Sequence, residues 1–397
     1  MNLSGKKVLV TGAAGLVGQS LCLQLLRLGA ELVAMGRSRE ESFRRRFSLP
    51  CQYYRWEHPE NEFPPIQALQ VDAVVQLMGE SVAGKRWSPQ RKKHIYQSRI
   101  NSTENLVAAI KEHECNIQVL VAASAIGVYG DRKQETLTEQ SDLGEGFLAK
   151  VCQGWESAAA KAPCRTISLR IGMVLSDSGG ALDELDPIFR KGLGSPLADG
   201  QQWMSWVHIE DLISMVIFAL TEEQLQGAVN VVAPKPVQNV HFTQELAKAH
   251  KTGVFAPVPA WVLKGALGEM SELVLSSQKV LPEKLLQLGF KFKYPTQEQA
   301  LSNLYSWKGS RHDRLFIQKQ WVDQPLSEVF SFFSDEKNLE KITPSFVNFK
   351  VVGKSTERIE AGTTIDYKLK IHGVPAQWRS EIEKWQPMNE FVDRQVK

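Results

Sequence analysis

Three glycines, Gly12, Gly15 and Gly18, interrupt VTGAAGLVG between a short apolar run and a longer amphipathic one. Gly12 permits a tight turn, Gly15 lets backbone approach a pyrophosphate, and Gly18 lets helix pack on strand. Free N–H groups and the positive end of the helix dipole then face the phosphates. Gly12, Ala14, Gly15, Leu16, Val17 and Gly18 are therefore the candidates for holding a dinucleotide. The next strand, AELVAMGRS, reaches Arg37 where an NAD site usually places an Asp or Glu for the ribose 2′-hydroxyl. A carboxylate repels a 2′-phosphate and a guanidinium pairs with it. Arg37 and Ser38 thus favour NADP(H), with a solvated basic loop as the alternative reading. Leu77, Met78 and Gly79 end the apolar run VVQLMG beside the same cofactor path, and Arg99 and Ser124 complete the cofactor set.

These residues need a scaffold, and the chain has the pattern for one. Strand and helix signals alternate from Lys6 to about Ala233: VLV, ELVAMG, QYYRW, VDAVVQLMG, IQVLVAASAIGVYG and RTISLRIGMVL alternate with amphipathic segments. This alternation implies an α/β fold, a doubly wound parallel sheet, over residues 1–233. SPQRKKHIYQSRINSTENLVAAIKEH reads as one long helix. Residues 234–308 are irregular and Pro-rich, suiting a small substrate-side lobe over the C-terminal strand edges. KGSRHDR reads as a linker, and 314–397 as a separate domain in which TTIDYKLKI and QWRSEIEKW alternate like antiparallel strands.

Composition narrows the classes. The 397 residues are 43% apolar and 23% charged with net charge +3, too small to argue for a nucleic-acid partner. No apolar run reaches membrane-spanning length and no signal sequence precedes the first strand, so a cytoplasmic protein without membrane partners is expected. Cys22, Cys51, Cys115, Cys152 and Cys164 lack metal-ligand spacing, so no metal is expected.

VTGAAGLVG, LMGESVAGKRW, SRINSTENLV, SAIGVYG, WESAA, LRIGMVLSDSGGAL and SWVHIEDL resemble, in order, the extended short-chain dehydrogenase/reductase superfamily. More narrowly they resemble its NAD-dependent epimerase/dehydratase branch, and PVPAWVLKGALGEMSELVLSSQKVLPEKLLQLGFKFKYPT resembles that branch's C-terminal appendage. The resemblance implies a Ser or Thr, a Tyr as acid/base, and a Lys four residues on that lowers its pKa. Here Leu148 stands at the Tyr position, Cys152 at the Lys position and Ala125 at the hydroxyl position, with Ser124 adjacent. The standard triad is missing.

Substitute catalytic groups are sought where the sheet's C-terminal edge meets the nicotinamide: Tyr129, Ser124 and Glu80. Each has a structural alternative: packing for Tyr129, a backbone hydrogen bond for Ser124, and capping or loop fixation for Glu80. Arg99 suits a structural carboxylate or an anionic ligand. Arg86 and Trp87 suit a substrate loop or a buried anchor, and His208 suits a structural role, with a catalytic one as the alternative. Trp155 and Glu156 suit packing plus a buried hydrogen bond. Trp203 and Trp206 suit a substrate wall or packing between lobes. The leading expectation is an NADP(H)-dependent oxidoreductase or epimerase-like enzyme acting on a small molecule. A non-catalytic NADP(H)-binding sensor is the rival, and a nucleotide-sugar epimerase is weaker because the Tyr and Lys are absent.

The segment from about Leu315 resembles the opening of the helix-grip family of ligand-binding and cyclase-like domains, which implies an apolar ligand. The closing long helix of that family is not in the sequence. The uncovered sheet face leads to an expectation of truncation or of a homodimer.

Overall fold

The computed structural model describes residues 1–305, 321–322, 324–371 and 374–396. They divide into two compact units, 1–305 and 321–396. The KGSRHDR linker and the expected domain start at 314 lie outside the described residues.

The first unit is built on seven strands: β1 (Lys7–Thr11), β2 (Glu31–Gly36), β3 (Gln52–Arg55), β4 (Ala73–Gln76), β5 (Val119–Ala125), β6 (Arg165–Ile171) and β7 (Gly227–Val231). Their order is β7-β6-β5-β4-β1-β2-β3, and every pair is parallel. The main helices are α1 (Leu16–Arg27), α2 (Pro89–Gln97), α3 (Ile100–Glu112), α4 (Phe147–Ala159), α5 (Ala181–Arg190), α6 (Ile209–Thr221), α7 (Asn239–Ala249), α8 (Ala260–Leu267) and α9 (Gln297–Tyr305). Successive strand side chains point to opposite faces, and here both faces are covered. Val8 and Val10 pack with Leu21 and Leu25 of α1 and Leu212 and Val216 of α6. Leu9 and Val74 pack on the other side with Leu106 and Ile110 of α3. This is the doubly wound parallel sheet that the sequence pattern implies.

The single long helix expected over 88–113 is two helices. The amide of Arg99 bonds the Tyr96 carbonyl at 3.2 Å rather than that of Ile95. The Ile95 carbonyl instead accepts the Ser98 hydroxyl and the Arg99 guanidinium, each at 3.2 Å. Polar side chains have taken the acceptor that a continued helix needs.

Beyond the sheet, α7 and α9 pack on Trp206 and Leu175 through Phe242, Leu246, Leu301 and Leu304. Trp206 is fully buried, with its indole N–H on the Lys235 carbonyl, so it packs the core and does not line a cleft. Trp203 stays half-buried, with the Lys279 ammonium 4.7 Å from its ring centroid.

The second unit holds α10 (Leu326–Phe333) and an antiparallel sheet of β8 (Lys350–Lys354), β9 (Thr364–Ile371), β10 (Val374–Gln386) and β11 (Glu390–Gln395), in that spatial order. Ile365, Tyr367 and Leu369 are buried while Lys368 and Lys370 between and beyond them are exposed, the alternation of a one-sided sheet. Among the described residues, no helix is long and apolar enough to cross a membrane.

Candidate functional site

The C-terminal ends of β1, β4 and β5 meet at one edge, since Thr11 pairs with Gln76 and Gln76 with Ala122. The Thr11 hydroxyl donates to Gln76 Oε1 at 2.6 Å and accepts the amides of Leu77 and Met78 at 3.1 and 3.2 Å. That clamp brings Leu77, Met78 and Gly79 against the glycine turn. Gly12 has φ +69°, and a Cβ there would sit 3.2 Å from the Leu77 carbonyl. A Cβ on Gly15 would sit 3.2 Å from the Gly12 oxygen. One on Gly18 would sit 2.8 Å from the Ala13 Cα and closer still to the Gly12 oxygen. Each glycine therefore marks a close backbone approach.

Gly15 caps α1 in an extended conformation with no side-chain cap, and no acidic residue occupies the first turn. The first-turn amides of Leu16, Val17 and Gly18 lack intrahelical acceptors, and the Ala14 carbonyl accepts Gln19 Nε2 at 2.9 Å. Backbone donors, dipole and an unfilled cradle fit a dinucleotide's phosphates.

Arg37 follows β2, with its side chain 59% exposed and Nη2 3.5 Å from Glu80 Oε2. Its carbonyl accepts Arg55 Nε at 3.2 Å. The Ser38 hydroxyl accepts Arg46 Nη2 at 3.1 Å, and the Ser38 carbonyl accepts the Tyr53 hydroxyl at 2.6 Å. Arg37, Arg46 and Arg55 thus converge on this turn.

Glu80 does not suit acid/base work. Its Oε1 accepts Arg91 Nη1 at 2.7 Å, its amide donates to the Ser98 hydroxyl at 3.0 Å, and its carbonyl accepts Arg99 Nη1 at 2.8 Å. The Arg91 hydrogen bond, with Arg37 adding charge, holds its carboxyl below the usual range. A base working near neutrality needs a raised pKa. Glu80 is a loop brace, and the expected catalytic role is corrected accordingly.

Tyr129 is corrected too. It is fully buried. Its hydroxyl accepts Arg170 Nη1 at 2.8 Å and lies 2.7 Å from Asn230 Oδ1 and 3.0 Å from the Thr138 carbonyl, the two acceptors for its one proton. Burial pushes its pKa up. A saturated interior phenol cannot hand a proton to a ligand at the sheet edge.

Ser124 is 3% exposed and donates to Glu156 Oε1 at 2.7 Å. Glu156 in turn holds Arg170 through two bonds, at 2.9 and 2.8 Å. Ser124 is thus at the predicted edge but spends its proton inward. The buried hydrogen bond expected of Glu156 is present, but its partners Arg170 and, through Arg170, Tyr129 were missed. Arg170 inside the apolar strand RTISLRI was the signal for them, because a buried cation requires a buried partner.

At the positions where the superfamily resemblance implies Tyr and Lys, Leu148 lies over Gly127, where a Cβ would meet it at 3.5 Å. Cys152 is 5% exposed, and burial with the nearby Glu156 charge pushes its thiol up to about 11. Arg99 stands across from it. Its Cζ is 5.2 Å from the Trp155 ring centroid, and a Cβ on Gly79 would lie 3.0 Å from that Cζ.

Outside this edge, Arg86 Nη2 donates to the Gly265 carbonyl at 3.2 Å and Trp87 Nε1 to the Val82 carbonyl at 2.8 Å. Trp87 is the buried-anchor alternative, 8% exposed. His208 accepts the Glu210 amide at 3.1 Å, caps α6, and packs 3.9 Å from the Tyr294 ring, a structural role.

A parallel sheet in this order, with a glycine cradle at the β1–α1 turn, defines a Rossmann-type dinucleotide-binding protein of the short-chain dehydrogenase class. Residues 8–232 match the NAD dependent epimerase/dehydratase family, and 258–304 match a domain of unknown function, DUF1731. The chain belongs to that epimerase/dehydratase family. It is 36% identical over 308 residues to the chloroplastic epimerase family protein SDR39U1 homolog of Arabidopsis thaliana, covering 74% of this chain and 85% of that one. It is 33% identical over 301 residues to the epimerase family protein YfhF of Bacillus subtilis, covering 75% and 97%. Among solved structures, human epimerase family protein SDR39U1 with NADPH is 28% identical with a TM-score of 0.68, covering 76% of this chain and 99% of that one.

Proposed function

We propose that the chain binds NADP(H) and exchanges hydride with a small-molecule substrate by an arrangement that does not use a Tyr–Lys pair. The observation that carries this reading is the uncapped glycine cradle facing a β2 terminus that bears Arg37 in place of a carboxylate. A carboxylate there would select the unphosphorylated ribose. The human relative was solved with NADPH, which supports the same cofactor here. Gly12, Ala14, Gly15, Leu16, Val17 and Gly18 would hold the pyrophosphate, Arg37 and Ser38 the 2′-phosphate, and Leu77, Met78 and Gly79 the ribose side of the crevice. Bound, the nicotinamide supplies the hydride.

Thermal unfolding with NADPH, NADH and neither tests the binding step. Cofactor at a hundredfold its dissociation constant adds about 2.7 kcal/mol. A shift with NADPH exceeding that with NADH is expected, and no shift with either refutes the reading. Deuteride transfer from labelled NADPH to a carbonyl panel tests the chemistry. The apolar Leu148 and neutral Cys152 favour a second reading, a non-catalytic NADP(H) sensor, which binding without transfer would select.

For 321–396 we propose a helix-grip-like fold that takes an apolar ligand. Val352, Val374, Trp378 and Phe391 remain exposed on its sheet, which supports that reading. Sedimentation with and without an added fatty acid separates ligand binding from homodimer formation.

A further inference from the structure

Arg99 is a half-buried cation at the sheet edge whose donors are only partly used. Arg99 spends only Nη1, on the Glu80 and Ile95 carbonyls at 2.8 and 3.2 Å. Its Nε and Nη2 meet no acceptor among the described residues. A Cβ on Gly79 would lie 3.0 Å from Cζ and 3.3 and 3.2 Å from Nε and Nη2, so Gly79 lies against the face of the guanidinium and not against its Nε–Nη2 edge. Nε and Nη2 are the two donors whose parallel N–H groups match a carboxylate bidentately. The Trp155 face beneath the guanidinium, 5.2 Å from its Cζ, and the two carbonyls fix its plane. The group is pre-organised, so little side-chain entropy is lost when it takes a ligand.

The surroundings define the rest of that ligand. Among the described residues Glu156 pairs with Arg170, so the carboxylate at this end of the sheet is already matched. Apolar surface is at hand around Trp87 and Trp155, from the partly buried Leu77, Val82, Phe147, Leu148, Ile171 and Met270, while Glu80 and Arg91 pair with each other on the far side of the loop. We propose that the open edge of Arg99 binds the carboxylate of a substrate whose remaining body is apolar. This rests on the NADP(H) reading, because that reading makes the edge a reaction site. It assigns Arg99 to substrate, although the sequence places it with the cofactor.

The test titrates benzoate, benzamide as its neutral near-isostere, and inorganic phosphate into the full chain, with and without NADPH, by calorimetry. Saturable benzoate binding is expected. Arg99→Lys keeps the charge and loses the planar fork, and Arg99→Gln loses both. Each should weaken benzoate by about tenfold or more while NADPH affinity stays unchanged. Thermal melting confirms that the variants fold, and Arg99→Lys carries the test if Arg99→Gln does not. Three results overturn the proposal. One is wild-type chain that binds no benzoate, or binds benzamide as well as benzoate. Another is benzoate binding indifferent to both variants. The third is NADPH affinity falling alongside it, or phosphate outcompeting benzoate, either of which would give the fork to the cofactor. Wild-type chain that binds no NADPH while keeping Arg99-dependent benzoate binding would sink the cofactor reading and leave the fork standing.

Discussion

Replacing Arg37 by Ala should turn an NADPH-preferring chain into one that barely distinguishes NADPH from NADH. The magnitude follows from what Arg37 gains and what it gives up. A hydrogen bond between charged groups contributes about 1.5–3 kcal/mol. Before cofactor arrives, Arg37 sits 3.5 Å from the Glu80 carboxylate with more than half its side chain in solvent. An exposed pair of that kind is worth about 0.2–1 kcal/mol, and the 2′-phosphate must displace it. The difference is about 1–2 kcal/mol, a loss of roughly 5- to 30-fold in NADPH affinity. NADH lacks the phosphate, so its dissociation constant should stay within about twofold. Fluorescence titration of the reduced nicotinamide with both cofactors measures this directly. Because the contact is exposed, the NADPH preference of the wild type should also shrink as salt rises. Equal losses for NADPH and NADH would show that Arg37 supports the turn rather than the phosphate. No loss for either would pass the phosphate to Arg46 or Arg55 and refute the reasoning.

Gly18→Ala drives a Cβ into the Gly12 carbonyl and should cost about 1–3 kcal/mol in urea unfolding together with cofactor binding. Gly265→Ala in exposed α8 meets nothing within 4 Å and should instead stabilise by up to about 1 kcal/mol. Glu80→Gln should destabilise at pH 7 and progressively less as pH falls below 4.5. The folded pKa of Glu80 is depressed, so its contribution is complete above the ordinary 4.5 and lost as pH falls through the lower folded value; a constant difference across that range would contradict the Arg91 pairing. Glu156→Gln leaves the Arg170 guanidinium, 5% exposed, without a counter-charge and should cost about 3–5 kcal/mol in urea unfolding, much of it recovered in Glu156→Leu with Arg170→Met.

What the sequence revealed was what depends on neighbours in the chain. The glycine cradle needs only Gly12 to Gly18 and the strand before them, and each glycine stands where a Cβ would crowd backbone of the turn or of Leu77 and Met78 just after β4. The β-α alternation likewise needs only local apolar pattern. The break between α2 and α3 was hidden because Ser98 and Arg99 answer to the backbone of Glu80, 18 and 19 residues away. Tyr129 was misplaced for the same reason. Its hydroxyl is claimed by Arg170 and Asn230, 41 and 101 residues further on, and nothing in SAIGVYG announces either. Glu80 reads as an available carboxylate until Arg91 is brought to 2.7 Å from it.

The charges at the C-terminal edge of the sheet constrain the chemistry further than the missing triad does. Where the superfamily resemblance implies a lysine there is a neutral thiol, held protonated well above physiological pH. Positive charge returns to the edge from another element, as Arg99 at the head of α3. A guanidinium can orient and polarise an oxygen, but it does not release a proton near neutrality. Ser124 gives its proton to Glu156, Tyr129 is sealed inside, and Glu80 is held ionised between two arginines. Of the groups brought to this edge, none combines exposure with a pKa near 7. If the chain transfers hydride, Ser124, Tyr129 and Glu80 do not supply the accompanying proton. The pH profile of any turnover should accordingly lack the tyrosine ionisation that a Tyr–Lys site imposes.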